Sequence, residues 1–195
     1  KGSSSYVKKI TDALRSMLNE AYQRKEIQEV PTFKKIEVIE SDRKIIDLDT
    51  QDQIINSIPD QMDRAFILFS ARAMVRPSET RALWGTDLDL NHDKVTIQRH
   101  FSLNELRPAT KAKRIKRLPI DGETKKTLQS LPRHMTSPFV FWKRNGRPFS
   151  ESWARKVFKK FALALGYDIS LYEGTVTHRL RKRSTALGLM RFKSF

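Results

Sequence analysis

Along the first 25 residues, apolar side chains recur at spacings of three and four. Val7, Ile10, Leu14, Leu18 and Tyr22 fall on one stripe, the period of an amphipathic helix, and predict one from about Tyr6 to Arg24. KGSSS before it reads as a flexible lead-in. Pro31 in EIQEVPTFKK marks an extended stretch, and KIEVIESDRKIIDLDT reads as a linker with short extended pieces. One helix cannot bury its own apolar face. Residues 1–46 are therefore expected to be the tail of a preceding domain plus a linker, with a second unit over 47–195.

The pattern changes from residue 47. DTQDQIINSIPD predicts a short helix capped by Asp49 or Thr50. MDRAFILFSARAMV is helical and apolar enough to be core. Pro77 suits the first turn of the next helix, with Gly85 ending it. KVTIQRHF alternates and is β-branched, which predicts a strand; ELRPATK and RIKRLPI follow as two more, joined by the basic turn KAKR. DGETKKTLQSL is helical, FVFW a short buried extended piece, and RNGRP a turn. In SESWARKVFKKFALALG, Trp153, Val157, Phe158, Phe161 and Leu165 are expected inward and Lys156, Lys159 and Lys160 outward. VTHRLRKRSTALGLM predicts a last helix capped by Thr175 or Thr177. The class is α+β, mainly α, with a small three-stranded antiparallel sheet in the middle.

Composition removes several chemistries. There is no cysteine, so neither a disulfide nor a thiolate metal site. His92, His100, His134 and His178 are too scattered for a local metal motif. No cofactor is called for. No apolar run reaches about eighteen residues, and no signal peptide opens the chain, so a cytoplasmic location and no membrane partner are expected.

Charge adds a partner. Residues 1–106 hold 16 basic and 17 acidic side chains, net −1; residues 107–195 hold 22 and 5, net +17. An excess confined to one half points to a polyanion, nucleic acid before an anionic membrane surface.

Three separated pieces suit work on a phosphodiester. Arg76 stands in VRPSE, after an apolar helix and at the start of another. Lys111 lies in TKAKRIKRLPI, at a turn between strands. His178 and Arg181, three apart in THRLR, share a helix face. Guanidinium forks match phosphate oxygens in geometry and charge. A lysine can protonate a leaving oxygen, and a histidine can manage a nucleophile's proton. Each residue also has an ordinary reading: Arg76 as a helix start, His178 as a cap, and Lys113, Arg114 and Lys116 as rivals of Lys111 or as surface contacts to DNA.

In this order and spacing the pieces resemble the catalytic domain of the tyrosine recombinases, the phage integrase family. Against the family pattern G-L/M-R-x-x-E, the chain has AMVRPSE, with Arg76 and Glu79 in place. The family lysine stands eight residues before the proline of an R-x-(V/I/L)-P strand, which here is Lys111 before Pro119. H-x-L-R is met by His178, Leu180 and Arg181. VKKITDALRSMLNEAYQRKEIQEVP is similar to the closing helix of the core-binding domain that precedes the catalytic one.

The resemblance implies that Arg76 and Arg181 clamp the scissile phosphate. It further implies that Lys111 protonates the 5′ oxygen, that His178 assists, that Glu79 orients an arginine, and that no metal takes part. Lys113, Arg114, Lys116, Arg179, Lys182 and Arg183 are expected to contact DNA. The activity implied is integration or excision of a phage or mobile element at attachment sites, through a 3′-phosphotyrosyl intermediate. The partners implied are double-stranded DNA and further copies, a tetramer on DNA, in a bacterial host cell. A type IB topoisomerase-like activity and a non-catalytic DNA-binding module are the rival readings.

Two departures stand out. Lys182 replaces the histidine usual after the second arginine. The chain's tyrosines, Tyr6, Tyr22, Tyr167 and Tyr172, all precede Arg181, so the nucleophile-bearing C-terminal segment is expected to be absent from these residues. Trp84, Trp142 and Trp153 are read as core packing, and His92, His100 and His134 as surface.

Overall fold

The structure, a computed structural model, describes residues 4–37, 46–108, 115–150 and 152–168. The chain divides into two compact units, residues 1–42 and 43–195.

The first unit is built on helix α1 (Ser4–Gln23), which buries none of its residues. Its apolar stripe (Tyr6, Val7, Ile10, Leu14, Met17, Tyr22) is exposed. The helix ends where Lys25 takes φ 59°. There the Lys25 N–H donates to the Tyr22 carbonyl and the Glu26 N–H to the Ala21 carbonyl, so two otherwise orphaned carbonyls are satisfied.

The second unit opens with α2 (Leu48–Asn56) and α3 (Gln61–Arg72). The cap of α2 is Asp47, not Asp49 or Thr50. The Asp47 carboxylate accepts both the backbone N–H and the hydroxyl of Thr50, each at 2.7 Å. Asp60 caps α3 the same way through the Asp63 N–H. Then come α4 (Pro77–Thr80), a 3₁₀ turn (Gly85–Asp87), β1 (Leu88–Asp89), β2 (Lys94–Ile97), β3 (Arg99–Ser102), β4 (Glu105–Pro108), β5 (Lys116–Pro119), α5 (Gly122–Ser130) and α6 (Trp153–Ala164). Pro77 occupies the first turn of α4, as its missing N–H favours. The helix is only four residues long, and Gly85 opens the 3₁₀ turn instead of closing a helix.

The antiparallel three-stranded sheet runs in the order β1-β2-β5, with Val95 opposite both Leu88 and Leu118. Its membership differs from the expectation. KVTIQRHF divides at Gln98 into β2 and β3, and ELRPATK contributes β4 to a separate two-stranded hairpin with β3. Asp87 is the reason for the division. Its buried carboxylate accepts from Gln98 Nε2 and Arg99 Nη1, each at 2.6 Å, and these two side chains leave the strand's alternation to reach it. The hairpin turns through Leu103 and Asn104, both at positive φ (48° and 65°), as a two-residue loop between right-twisted strands requires.

The core is aromatic. The Phe66 ring meets Phe141 and Phe149 edge-on, each at 5.2 Å between centroids, and Phe69, Phe158, Ile54, Ile55 and Ile58 are buried with them. From α6, Val157 and Phe158 are buried, Trp153 and Phe161 are half-buried, and Lys156, Lys159 and Lys160 face out. Leu165, expected inward, is 44% exposed, because α6 ends at Ala164 and Gly166 turns the chain at φ 83°.

The three tryptophans are half-buried. Trp153 donates to Asp63 and Trp142 to the Pro132 carbonyl. His134 is not plain surface. Its Nδ1 accepts the Ser137 N–H at 3.1 Å, and its ring packs where Gly146, at φ 71°, leaves no room for a Cβ.

Candidate active site

Helix α3 ends at Arg72, and Met74 turns the chain with φ 52°. This is the position where the family pattern has glycine. A left-handed methionine costs about 1 kcal/mol, but it swings Val75 into the core and leaves Arg76 extended (φ −66°, ψ 146°) before α4.

The backbone of Arg76 is held from both sides. Its N–H donates to Glu79 Oε2 at 3.1 Å. Its carbonyl accepts the N–H groups of Glu79 (2.9 Å) and Thr80 (2.8 Å) and the Thr80 hydroxyl at 3.2 Å. Thr80 Oγ1 lies 3.0 Å from Ser70 Oγ, and Ser70 donates to the Phe66 carbonyl. The corner that presents Arg76 is thus pinned to the middle of α3. The side chain, in contrast, is 38% exposed.

Glu79 is the chemical centre of the corner. Its side chain is 1% exposed, and a carboxylate so buried requires partners. Oε1 accepts Lys116 Nζ at 2.8 Å and lies 3.4 Å from Arg76 Nη1. Burial pushes the Glu79 carboxyl up. The Lys116 hydrogen bond, the Arg76 N–H and the charges of both cations outweigh it and hold the group below its ordinary value. Glu79 is therefore an anion at neutral pH.

Lys116 reaches this carboxylate from β5, where it pairs with Ile97 of β2. Arg76, Glu79 and Lys116 are thus gathered from α4 and β5. Lys111, Lys113 and Arg114 lie outside the described residues, as do His178, Arg179, Arg181, Lys182 and Arg183. Among the described residues, no group of three or more His, Asp or Glu side chains could hold a metal ion, and no helix is long and apolar enough to cross a membrane.

Two buried polar groups near the hairpin escaped the sequence reading. Asp87 accepts the Trp84 N–H at 2.8 Å besides Gln98 and Arg99, and the Arg99 guanidinium lies 3.6 Å from the Trp84 ring centroid. Arg81, 5% exposed, donates to the Phe149 carbonyl and stacks over Phe101 of β3. The only hint in the sequence is an acid three residues after Trp84 in WGTD. Both groups tie the β2–β4 region to the core.

A family model described as "Phage integrase family" matches residues 44–190, that is 147 of 195 residues (190 − 44 + 1). No curated protein sequence matches the chain. Solved structures do. The integrase of transposon Tn1549 in complex with transposon right-end DNA superposes with a TM-score of 0.78 at 15% identity, over 96% of this chain and 68% of that one. A lambda integrase dimer bound to a COC′ core site gives 0.71 at 15% identity, over 97% and 68%. The integrase of mycobacterium phage Brujita gives 0.57 at 16% identity, over 87% and 53%. At these identities the likeness is one of fold.

Proposed function

The chain belongs to the phage integrase family, and on that premise we propose that it breaks and rejoins duplex DNA at specific sites as a tyrosine recombinase. Residues 47–195 act as the catalytic domain and 1–46 as the end of a core-binding domain. The partner is double-stranded DNA, on which the protein assembles with further copies, as the lambda integrase dimer on its core site does. It acts in the cytoplasm of a bacterial host.

Arg76 and Arg181 hold the two non-bridging oxygens of the scissile phosphate. A tyrosine oxygen attacks phosphorus, the P–O5′ bond breaks, and Lys111 gives the departing oxygen its proton, with His178 assisting. The covalent 3′-phosphotyrosyl link keeps the bond ready for rejoining, because the reverse attack by a 5′ hydroxyl releases the tyrosine. The arginines and the lysine supply the positive charge at the phosphate. The observation that carries this reading is the geometry of Arg76: a backbone fixed by Glu79 and Thr80, with a side chain that remains 38% exposed.

The test uses a nicked suicide duplex and the protein carrying its tyrosine, with covalent adduct read on a denaturing gel. Arg76→Ala is expected to slow adduct formation by about a hundredfold or more. Duplex affinity should stay within about threefold, since many other cations carry binding. Arg76→Lys should recover little, because a point charge lacks the fork. Adduct formed at the native rate by Arg76→Ala would refute the clamp.

A further inference from the structure

Lys116 was expected to contact DNA as part of the basic run before Pro119, yet its ammonium group lies on Glu79 Oε1 at 2.8 Å. Arg76 Nη1 addresses the same oxygen at 3.4 Å. Two cations thus share one buried oxygen, and the lysine holds the closer place.

The two oxygens of Glu79 have separate duties. Oε2 takes the Arg76 backbone N–H and fixes the corner. Oε1 needs a cation, because a buried carboxylate without one is heavily penalised. If Arg76 supplied that cation, its guanidinium would be drawn into the protein and away from a phosphate.

We propose that Lys116 is a positioning residue that neutralises Glu79 Oε1 and so keeps the Arg76 guanidinium available to the scissile phosphate. The ranking of the two contacts fits this assignment. The lysine makes the short bond and the arginine a marginal one, and the arginine side chain remains the more exposed of the two, 38% against 31%. The chain also connects the pair to another of the reaction's cations. Lys116 opens β5, five residues after Lys111 in sequence. The inference rests on the reading of Arg76 as a phosphate ligand.

Inorganic phosphate is the probe, titrated into the protein while the Arg76 Nε–H NMR signal and the bound fraction are followed. The affinity and salt dependence for a short duplex are measured in parallel. Lys116→Met is expected to weaken phosphate binding about tenfold, as removing one member of a coupled network does. Lys116→Arg should stay within about threefold because it keeps the charge. The decisive variant is Lys116→Met combined with Glu79→Gln. Removing the carboxylate charge removes what captures Arg76, so phosphate binding should return to within about threefold of the native value.

Phosphate affinity unchanged in Lys116→Met overturns the proposal. So does a double variant as weak as Lys116→Met, which is what a merely structural lysine gives. A salt slope for duplex binding that falls by about one in Lys116→Met makes Lys116 a direct phosphate contact and also overturns it. The native chain against Arg76→Ala separates the two readings. If Arg76→Ala leaves phosphate binding intact, the clamp reading fails and takes this one with it. If Arg76→Ala loses binding that Lys116→Met keeps, only the positioning role fails.

Discussion

Glu79 holds a backbone corner and two cations with one buried side chain. It occupies the third position of a four-residue helix that is too short to hold itself, so its carboxylate does for Arg76 what a longer helix would do by hydrogen bonding. Its ionised form is stabilised in the folded chain, so its carboxyl group is held below the ordinary value. The sign of the pH effect follows. The stability it contributes is complete above the unfolded glutamate value of about 4.3 and is lost as pH falls from there through the lower folded value. Urea unfolding of the native chain and of Glu79→Gln at pH 7 and at pH 3 is expected to show a smaller acid loss in the variant. Equal losses would mean that the carboxylate is not stabilised by its two cations. Asp63 is displaced the other way. Burial raises it, the Trp153 N–H opposes this, and the neighbouring Asp60 charge adds to the rise, so acid does not weaken the fold through that group.

The β3–β4 hairpin is the element whose sequence agrees least with its structure. A two-residue turn with both residues at positive φ favours asparagine or glycine, yet its first position is Leu103, 94% exposed. A leucine there strains the backbone and packs against nothing that offsets the strain. Leu103→Asn is therefore expected to stabilise the hairpin by about 0.5–1 kcal/mol, seen as slower amide exchange in β3 and β4. Unchanged or faster exchange would show that the turn is not strained in solution. The hairpin is held to the core by Arg81 over Phe101, by the Phe101–Phe139 contact at 5.9 Å and by the Arg99–Asp87 pair, with β4 itself exposed along its length. Arg81 and Phe101 thus keep in place the hairpin that leads into residues 109–114.

Charge is distributed so that the first 106 residues are near neutral and the rest carry +17. Part of that excess is visible on α6, where Arg155, Lys156, Lys159 and Lys160 are exposed while the opposite face enters the core. Each phosphate such side chains neutralise releases counterions, with a slope of about −0.9 in log affinity against log salt. Duplex binding by residues 1–195 is expected to fall steeply between low and physiological salt, with a slope of magnitude about 4 or more, measured by fluorescence anisotropy. A flat response would remove nucleic acid as the partner of the basic half.

Local sequence placed α1, α2, α3, α5 and α6, because an apolar stripe at helical spacing, an apolar helical run or a helix-start signal is a property of consecutive residues. The order Arg76, Lys111, His178, Arg181 likewise pointed to the family without any coordinates, since that chemistry depends on residue type and interval. What Lys116 and the strand residues would meet was not legible. Nothing in RIKRLPI distinguishes a lysine aimed at DNA from one that closes on a glutamate 37 positions earlier, and nothing in KVTIQRHF announces that the side chains of Gln98 and Arg99 will both bond Asp87 where the strand divides. Alternation tells which face of a strand is buried, not what lies beneath it. The resemblance gave Glu79 as the acid that orients an arginine, but VRPSET does not show that it is buried or that Lys116 shares it until α3, α4 and β5 come together around it. Its burial, its anionic state and its two cations are consequences of that convergence, because the cost of burying a charge is set by neighbours distant in sequence.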